Sequence, residues 1–156
     1  MHQRFVIRQA RVAEADQLTK LVLLAKAHWG YPKEWLDLWR ADLTITPEII
    51  ESAMAYVAEC EEKIIGVWVQ TLLDPGSDQP MPGWLFVHPD HMRQGVARAL
   101  WQALRQEAAA RHIGRFVIEA DPNAVPFYLA LGAQKIGAKE STVIPGRHIP
   151  ILRIAI

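Results

Sequence analysis

The sequence predicts an α/β (α+β) fold, a mixed and mostly antiparallel sheet of six to seven strands with helices on both faces. Two observations carry this expectation. Apolar runs of strand length, bounded by turn residues, share the chain with longer segments whose apolar residues recur every three to four positions. These segments follow the order strand, two or three helices, three strands, helix, strand, helix, two strands, and such an order layers helices against a sheet. Residues 1–156 read as a single domain without repeats, low-complexity tracts or an internal boundary. A chain of this length buries about two-thirds of the surface it exposes when unfolded.

Phe5 to Arg8 forms the first strand. The first helix runs from about Ala13 to Ala27, with Leu18, Leu21, Val22 and Ala25 on its buried face. Gly30 and Pro32 break that pattern, and Pro32 opens a second helix through about Ala41 that carries Trp35, Leu36 and Trp39. Thr46-Pro47-Glu48 joins an N-cap, a first-turn proline and a first-turn acid, so a short third helix extends to about Ser52. Met54 to Cys60 and Ile64 to Leu73 make an antiparallel hairpin turned at Glu61-Glu62-Lys63. A loop of turn residues, Asp74 to Pro80, leads to the apolar run Leu85 to Val87, which stops at Pro89. From Val96 the apolar residues Val96, Leu100, Trp101, Leu104 and Ala108 share one helix face. The strand Arg115 to Ala120 and a short helix Asn123 to Leu131 follow. Two strands, about Ala133 to Ile144 and Ile149 to Ile156, turn at Pro145-Gly146-Arg147-His148.

Composition narrows the function classes. A hydrophobic fraction of 51% with 22% charged residues is that of a soluble globular protein. Seventeen basic residues balance seventeen acidic ones, so nothing favours nucleic acid or an anionic membrane as the main partner. Cys60 is the one cysteine, which excludes an intramolecular disulfide and makes a reducing cytoplasm the expected compartment. Glu59 and Glu61 flank it and disfavour a thiolate nucleophile. The first residues carry no apolar leader core, and no run approaches the length of a membrane span.

The most informative stretch joins the run Leu85 to Val87 to the helix that starts at Val96. The first N–H groups of a helix have no partner within it, and its dipole places partial positive charge at that end. A phosphate satisfies both where no Cβ blocks its approach, which is a use for Gly95, with Ala97 small and Arg93 and Arg98 cationic. An ordinary strand–helix connection also uses glycine, so this segment alone leaves both readings open.

A second segment, Asp121-Pro122-Asn123-Ala124-Val125-Pro126-Phe127-Tyr128-Leu129-Ala130-Leu131-Gly132-Ala133, shifts the balance. Together with His91 to Ala97 it resembles the GNAT superfamily of acetyl-CoA-dependent N-acetyltransferases. His91 to Ala97 is similar to that family's pyrophosphate loop, and Asn123 through Phe127-Tyr128 to Leu131-Gly132 to its asparagine, tyrosine and leucine-glycine motif. The resemblance implies a sheet whose fourth and fifth strands splay apart, with acetyl-CoA lying in the gap. It implies transfer of an acetyl group to a primary amine of a small molecule or peptide by direct attack, with acetyl-CoA as co-substrate, no metal, and a homodimer as a common assembly. Two positions depart from the family. Met92 stands where Arg or Gln is usual, and the frequent acidic residue of the preceding strand falls near Gly83 or Trp84, neither of which can act as a base.

On this resemblance Arg93, Gln94, Gly95, Val96, Ala97 and Arg98 form the pyrophosphate cradle, and backbone N–H groups at Phe86 and Val87 face the thioester. Asn123, as N-cap of its helix, meets the coenzyme's amide arm, and Phe127 and Tyr128 complete the coenzyme-binding set. Tyr128 is the candidate general acid for the leaving thiolate, against the alternative of a core tyrosine with a satisfied hydroxyl. Glu119, Asp121, His28, His91 and His148 are candidate bases, while Asp121 also reads as a turn residue and Glu119 as a solvated acid. Trp29, Tyr31 and Trp35, with Arg147 and His148 opposite, are the candidate acceptor pocket, and packing aromatics and a solvated arginine are the alternative. Two other classes compete: a non-catalytic acyl-CoA-binding or regulatory module of the same fold, and an interaction protein using the aromatic segment Trp29 to Trp39.

Overall fold

A computed structural model of the chain describes residues 4–72 and 78–156. The expected strand end at Leu73 and the loop residues Asp74 to Ser77 lie outside the described residues. The chain divides into two compact units: one comprises residues up to Thr71 with Gly83–Glu107, the other Leu72, residues 78–82 and Ala108–Ile156.

The first unit contains β1 (Val6–Gln9), α1 (Ala15–Ala27), α2 (Lys33–Leu43), α3 (Pro47–Ser52), β2 (Met54–Cys60), β3 (Lys63–Gln70), β4 (Gly83–Val87) and most of α4 (Val96–Ala110). Its four strands pair antiparallel in chain order, with Arg8 opposite Val57, Val57 opposite Val67 and Val67 opposite Phe86. The β2–β3 hairpin turns through Glu61 and Glu62, both left-handed at φ 51° and 65°. Two left-handed residues give the turn the twist that adjoining strands require, although neither is glycine. β3 is buried on both faces from Ile65 to Gln70, which is why it reads as a continuous apolar run. Gly66 and Trp68 share the face under α4: Trp68 stacks on Trp101 at 5.4 Å between ring centroids. α1 packs on β4 and β3 and buries Leu18, Leu21, Val22 and Ala25, the face expected from periodicity.

The second unit contains β5 (Arg115–Glu119), α5 (Val125–Ala130), β6 (Gln134–Glu140) and β7 (His148–Ala155). Its sheet has the antiparallel order β5-β7-β6, with α5 against β7. Phe116, Val117, Ile118, Leu152 and Ile154 form its core. Among the described residues β4 pairs only with β3 and β5 only with β7, so the seven strands fall into sheets of four and three.

Several boundaries differ from the sequence reading. Pro32 caps α2 from outside the helix instead of opening it. β6 stops at Glu140, four residues early, because the Ser141 hydroxyl accepts the N–H groups of Val143 and Ile144 and turns the chain. Among the described residues no helix is long and apolar enough to cross a membrane.

Candidate functional site

In the first unit, β4 runs into a 3-10 turn at Pro89–His91, and α4 begins five residues later. His88 caps that turn: its Nδ1 accepts the Asp90 N–H at 3.1 Å, and its own N–H donates to the Ile65 carbonyl at 2.8 Å. Arg93 at φ 61° and Gly95 at φ 82° are both left-handed, and these two reversals carry the chain into α4. The Gly95 carbonyl accepts the Ala99 N–H at 3.0 Å, so Gly95 is the helix cap. A Cβ at Gly95 would meet nothing within 4 Å, so glycine answers here to the left-handed φ and not to crowding by the protein. Arg93, Gln94, Gly95 and Arg98 are exposed, Ala97 is half-buried and Val96 is buried.

Val96 anchors the loop from below. A Cβ at Gly66 would stand 2.7 Å from Val96 Cγ1, so glycine in β3 is what lets α4 seat its first residue on the sheet. The result is an exposed loop with two arginines at the start of a fifteen-residue helix, an arrangement that fits a diphosphate. Phe86 and Val87, both half-buried, end β4 opposite Val67 and Gly66.

The acidic position missing from β4 has a structural counterpart that sequence reading missed. Gln70 is buried at 1% exposure, and a Cβ at Gly83 would lie 2.7 Å from its Oε1. The volume that a side chain at 83 would enter therefore holds an amide from β3. Gln70 ends a buried apolar strand and pairs with Gly83 only through register, so no local pattern marks it.

The aromatic segment is a built cluster. Tyr31 and Trp35 stack at 6.1 Å, and Trp39 meets them edge-on at 4.9 and 5.8 Å. The Lys26 ammonium, buried on α1, lies 4.7 Å from the Trp39 ring centre and 5.2 Å from that of Tyr31. Of the expected pocket residues, Tyr31 and Trp35 therefore come together, while Trp29 is exposed and pairs with His28. Lys26 was not among the sequence candidates, because a lysine in a helix is expected to face water.

In the second unit, Tyr128 on α5 is buried, and Phe127 meets it edge-on at 5.6 Å. Burial first, and the charge of Asp121 second, push its hydroxyl well above the ordinary tyrosine value, so it stays protonated at neutral pH. Asp121 caps a 3-10 turn at Pro122–Ala124, its Oδ1 accepting the Asn123 N–H at 2.8 Å. This corrects the expectation that Asn123 is the cap: Asn123 lies inside the turn, is exposed, and α5 starts only at Val125. Asp121 Oδ2 also lies 3.8 Å from Arg147 Nη2. Arg147, expected as a solvated or substrate-binding group, is thus directed at a carboxylate of its own chain. Glu119 is exposed and ion-paired with Lys139 at 2.7 Å, and His148 is exposed at the start of β7. His91 is half-buried near His88, with an Nδ1 that is enclosed and bonds to nothing among the described residues. Among the described residues no three His, Cys, Asp or Glu side chains gather where a metal ion could be held.

Comparison with known proteins agrees with this fold. A family model described as an acetyltransferase (GNAT) domain matches residues 39–142. No curated protein matches the chain significantly. The fold is similar to a GCN5-related N-acetyltransferase from Rhodopseudomonas palustris, at TM-score 0.78 and 17% identity over 100% of this chain and 99% of that one. It is similar to the PaiA N-acetyltransferase of Thermoplasma acidophilum in complex with coenzyme A, at TM-score 0.70 and 14% identity over 98% and 99%. The ribosomal-protein-S18-alanine N-acetyltransferase of Escherichia coli matches at TM-score 0.69 and 17% identity over 98% and 94%.

Proposed function

The chain belongs to the GNAT acetyltransferases, whose family model matches residues 39–142, and on that premise we propose that it transfers the acetyl group of acetyl-CoA to a primary amine of a small molecule or peptide by direct attack. The observation that carries this reading is the exposed, arginine-flanked loop at the start of α4, with Gly95 left-handed and Val96 pinned on Gly66. Arg93, Gln94, Gly95, Val96, Ala97 and Arg98 receive the diphosphate of the coenzyme, and the structure of the PaiA protein, similar in fold, is a complex with coenzyme A. The main-chain N–H of Val87, which faces away from β3 because the flanking His88 N–H donates to Ile65 and Phe86 pairs with Val67, is offered to the thioester carbonyl, a type of contact worth roughly 3–4 kcal/mol in other acyl-transfer sites. Asn123 and Phe127 contact the coenzyme arm. Tyr128, kept protonated, delivers a proton to the departing thiolate. Tyr31, Trp35 and Trp29 are the acceptor-binding candidates of the first unit, and His148 is the candidate of the second. A peptide N-terminus is one such amine, and the name of the Escherichia coli protein gives an alanine of ribosomal protein S18 as that protein's target. The proposed setting is the cytoplasm, with the chain as a homodimer.

The test is a coupled-thiol assay over a panel of amines. Tyr128→Phe should lower kcat by roughly 10²-fold or more, the scale of one general acid, while the Kd for coenzyme A stays near that of the wild type. Wild-type kcat in that variant would remove Tyr128 from the reaction. The placement of Gln70 where a β4 carboxylate would lie favours a second reading, a coenzyme-binding module without catalysis. That reading requires tight coenzyme binding and no turnover on any amine.

A further inference from the structure

The connection between β6 and β7 is built to deliver one side chain. Ser141 Oγ accepts the N–H groups of Val143 and Ile144 at 3.1 and 3.0 Å. The Ser141 N–H donates to the Arg147 carbonyl at 2.7 Å, and the Arg147 N–H to the Ile144 carbonyl at 3.2 Å. Glu140 Oε1 accepts the Gly146 N–H at 3.0 Å, with Gly146 left-handed at φ 80°. The loop so tied presents Arg147 with its side chain 13% exposed, and Asp121, 15% exposed, is the carboxylate it reaches. A guanidinium withdrawn this far from water requires a counter-charge. Asp121 in turn uses its other oxygen to cap the turn that leads directly into α5.

We propose that Arg147 is a positioning residue for acetyl transfer: acting through Asp121, it pins the turn before α5 and so fixes where that helix holds the Tyr128 hydroxyl. This rests on the reading of Tyr128 as proton donor given above. Burial first and the charge of Asp121 second raise the phenol above its ordinary value, so the carboxylate that Arg147 faces is also one whose charge the Tyr128 hydroxyl feels. Arg147 then does not anchor an acidic group of the acceptor. Any such anchor lies elsewhere.

The test compares Arg147→Met, Arg147→Lys, Asp121→Asn, the double variant Arg147→Met/Asp121→Asn and Tyr128→Phe in the full chain, reading kcat, acceptor KM and the thermal midpoint. Arg147→Met should lower kcat roughly tenfold, a fraction of what a general acid supplies, with acceptor KM within about twofold of wild type. Arg147→Lys should recover part of the loss. In the Asp121→Asn background the Arg147→Met change should cost no further activity, and the thermal losses of the two single variants should be less than additive. A rise in acceptor KM with kcat retained, or an equal fall in kcat with and without Asp121, overturns the proposal. If Tyr128→Phe is impaired and Arg147→Met is not, the positioning role fails while the donor reading stands. If Tyr128→Phe has wild-type kcat, both fail.

Discussion

Gly66 and Gly95 serve the same loop for different reasons, and their substitutions should separate. Gly66→Ala puts a methyl group 2.7 Å from Val96 Cγ1 and 3.4 Å from Leu100 Cδ1, so α4 must shift on β3. It should destabilise the protein by about 1–3 kcal/mol in denaturant melts, the usual range for overpacking, and weaken coenzyme binding indirectly. Gly95→Ala meets no atom but must hold a left-handed φ, so the stability loss should be about 1 kcal/mol or more with a direct loss of coenzyme affinity. Calorimetric titration of coenzyme A into both variants checks the difference. The role of Gly95 was visible in the sequence because a loop motif surrounds it. That of Gly66 was not, since its neighbour Val96 lies thirty positions away and meets it only through packing. Lys26 and Gln70 escaped for a related cause: a charged or polar side chain is expected at the surface until its surroundings are known.

At the level of elements, caps and ion pairs decide the ends. Thr46 caps α3 by accepting the Ile49 N–H at 3.2 Å, as its place before Pro47 led one to expect. Thr46→Ala should therefore cost about 1 kcal/mol of stability, read from the shift of the unfolding midpoint at constant slope. Arg8 on β1 joins two elements, bonding Glu14 at 2.7 Å and Glu59 of β2 at 2.5 Å. The hydrogen bond from Arg8 is the main cause that holds Glu14 below its ordinary carboxylate value, against the opposing effect of burial. A carboxylate depressed in the folded state contributes stability above its unfolded value and loses it as pH falls through the folded one. Glu14→Gln should thus lower the thermal midpoint at neutral pH and converge on the wild type in acid, below the ordinary carboxylate range. A constant difference at every pH would show that the charge is not responsible. At the other end of the chain, the turn before α5 shows the limit of cap prediction. Asp121 and Asn123 are both good cap residues, and the choice of Asp121 followed from the path of the backbone after β5.

For the whole molecule, binding of coenzyme A to the folded chain alone must raise its unfolding midpoint. At a hundredfold excess over Kd the gain is about 2.7 kcal/mol, enough for a shift of several degrees. Absence of any shift would favour the competing reading of an interaction protein. The fold class, the strand and helix order, the buried face of α1, the loop around Gly95 and the candidacy of Tyr128 were all determined by the sequence alone. The first four depend on periodicity, caps or backbone dihedrals set by neighbours along the chain, and the candidacy of Tyr128 on the resemblance of its segment to a family motif. Only the tertiary structure decided that the strands divide into sheets of four and three, that Lys26 lies against Tyr31 and Trp39, that Gln70 fills the space at Gly83, and that Arg147 is directed at Asp121. Strand register, helix packing and loop path bring those groups together, and a side chain's partner across such distances in sequence is chosen by the folded backbone and not by the residues beside it.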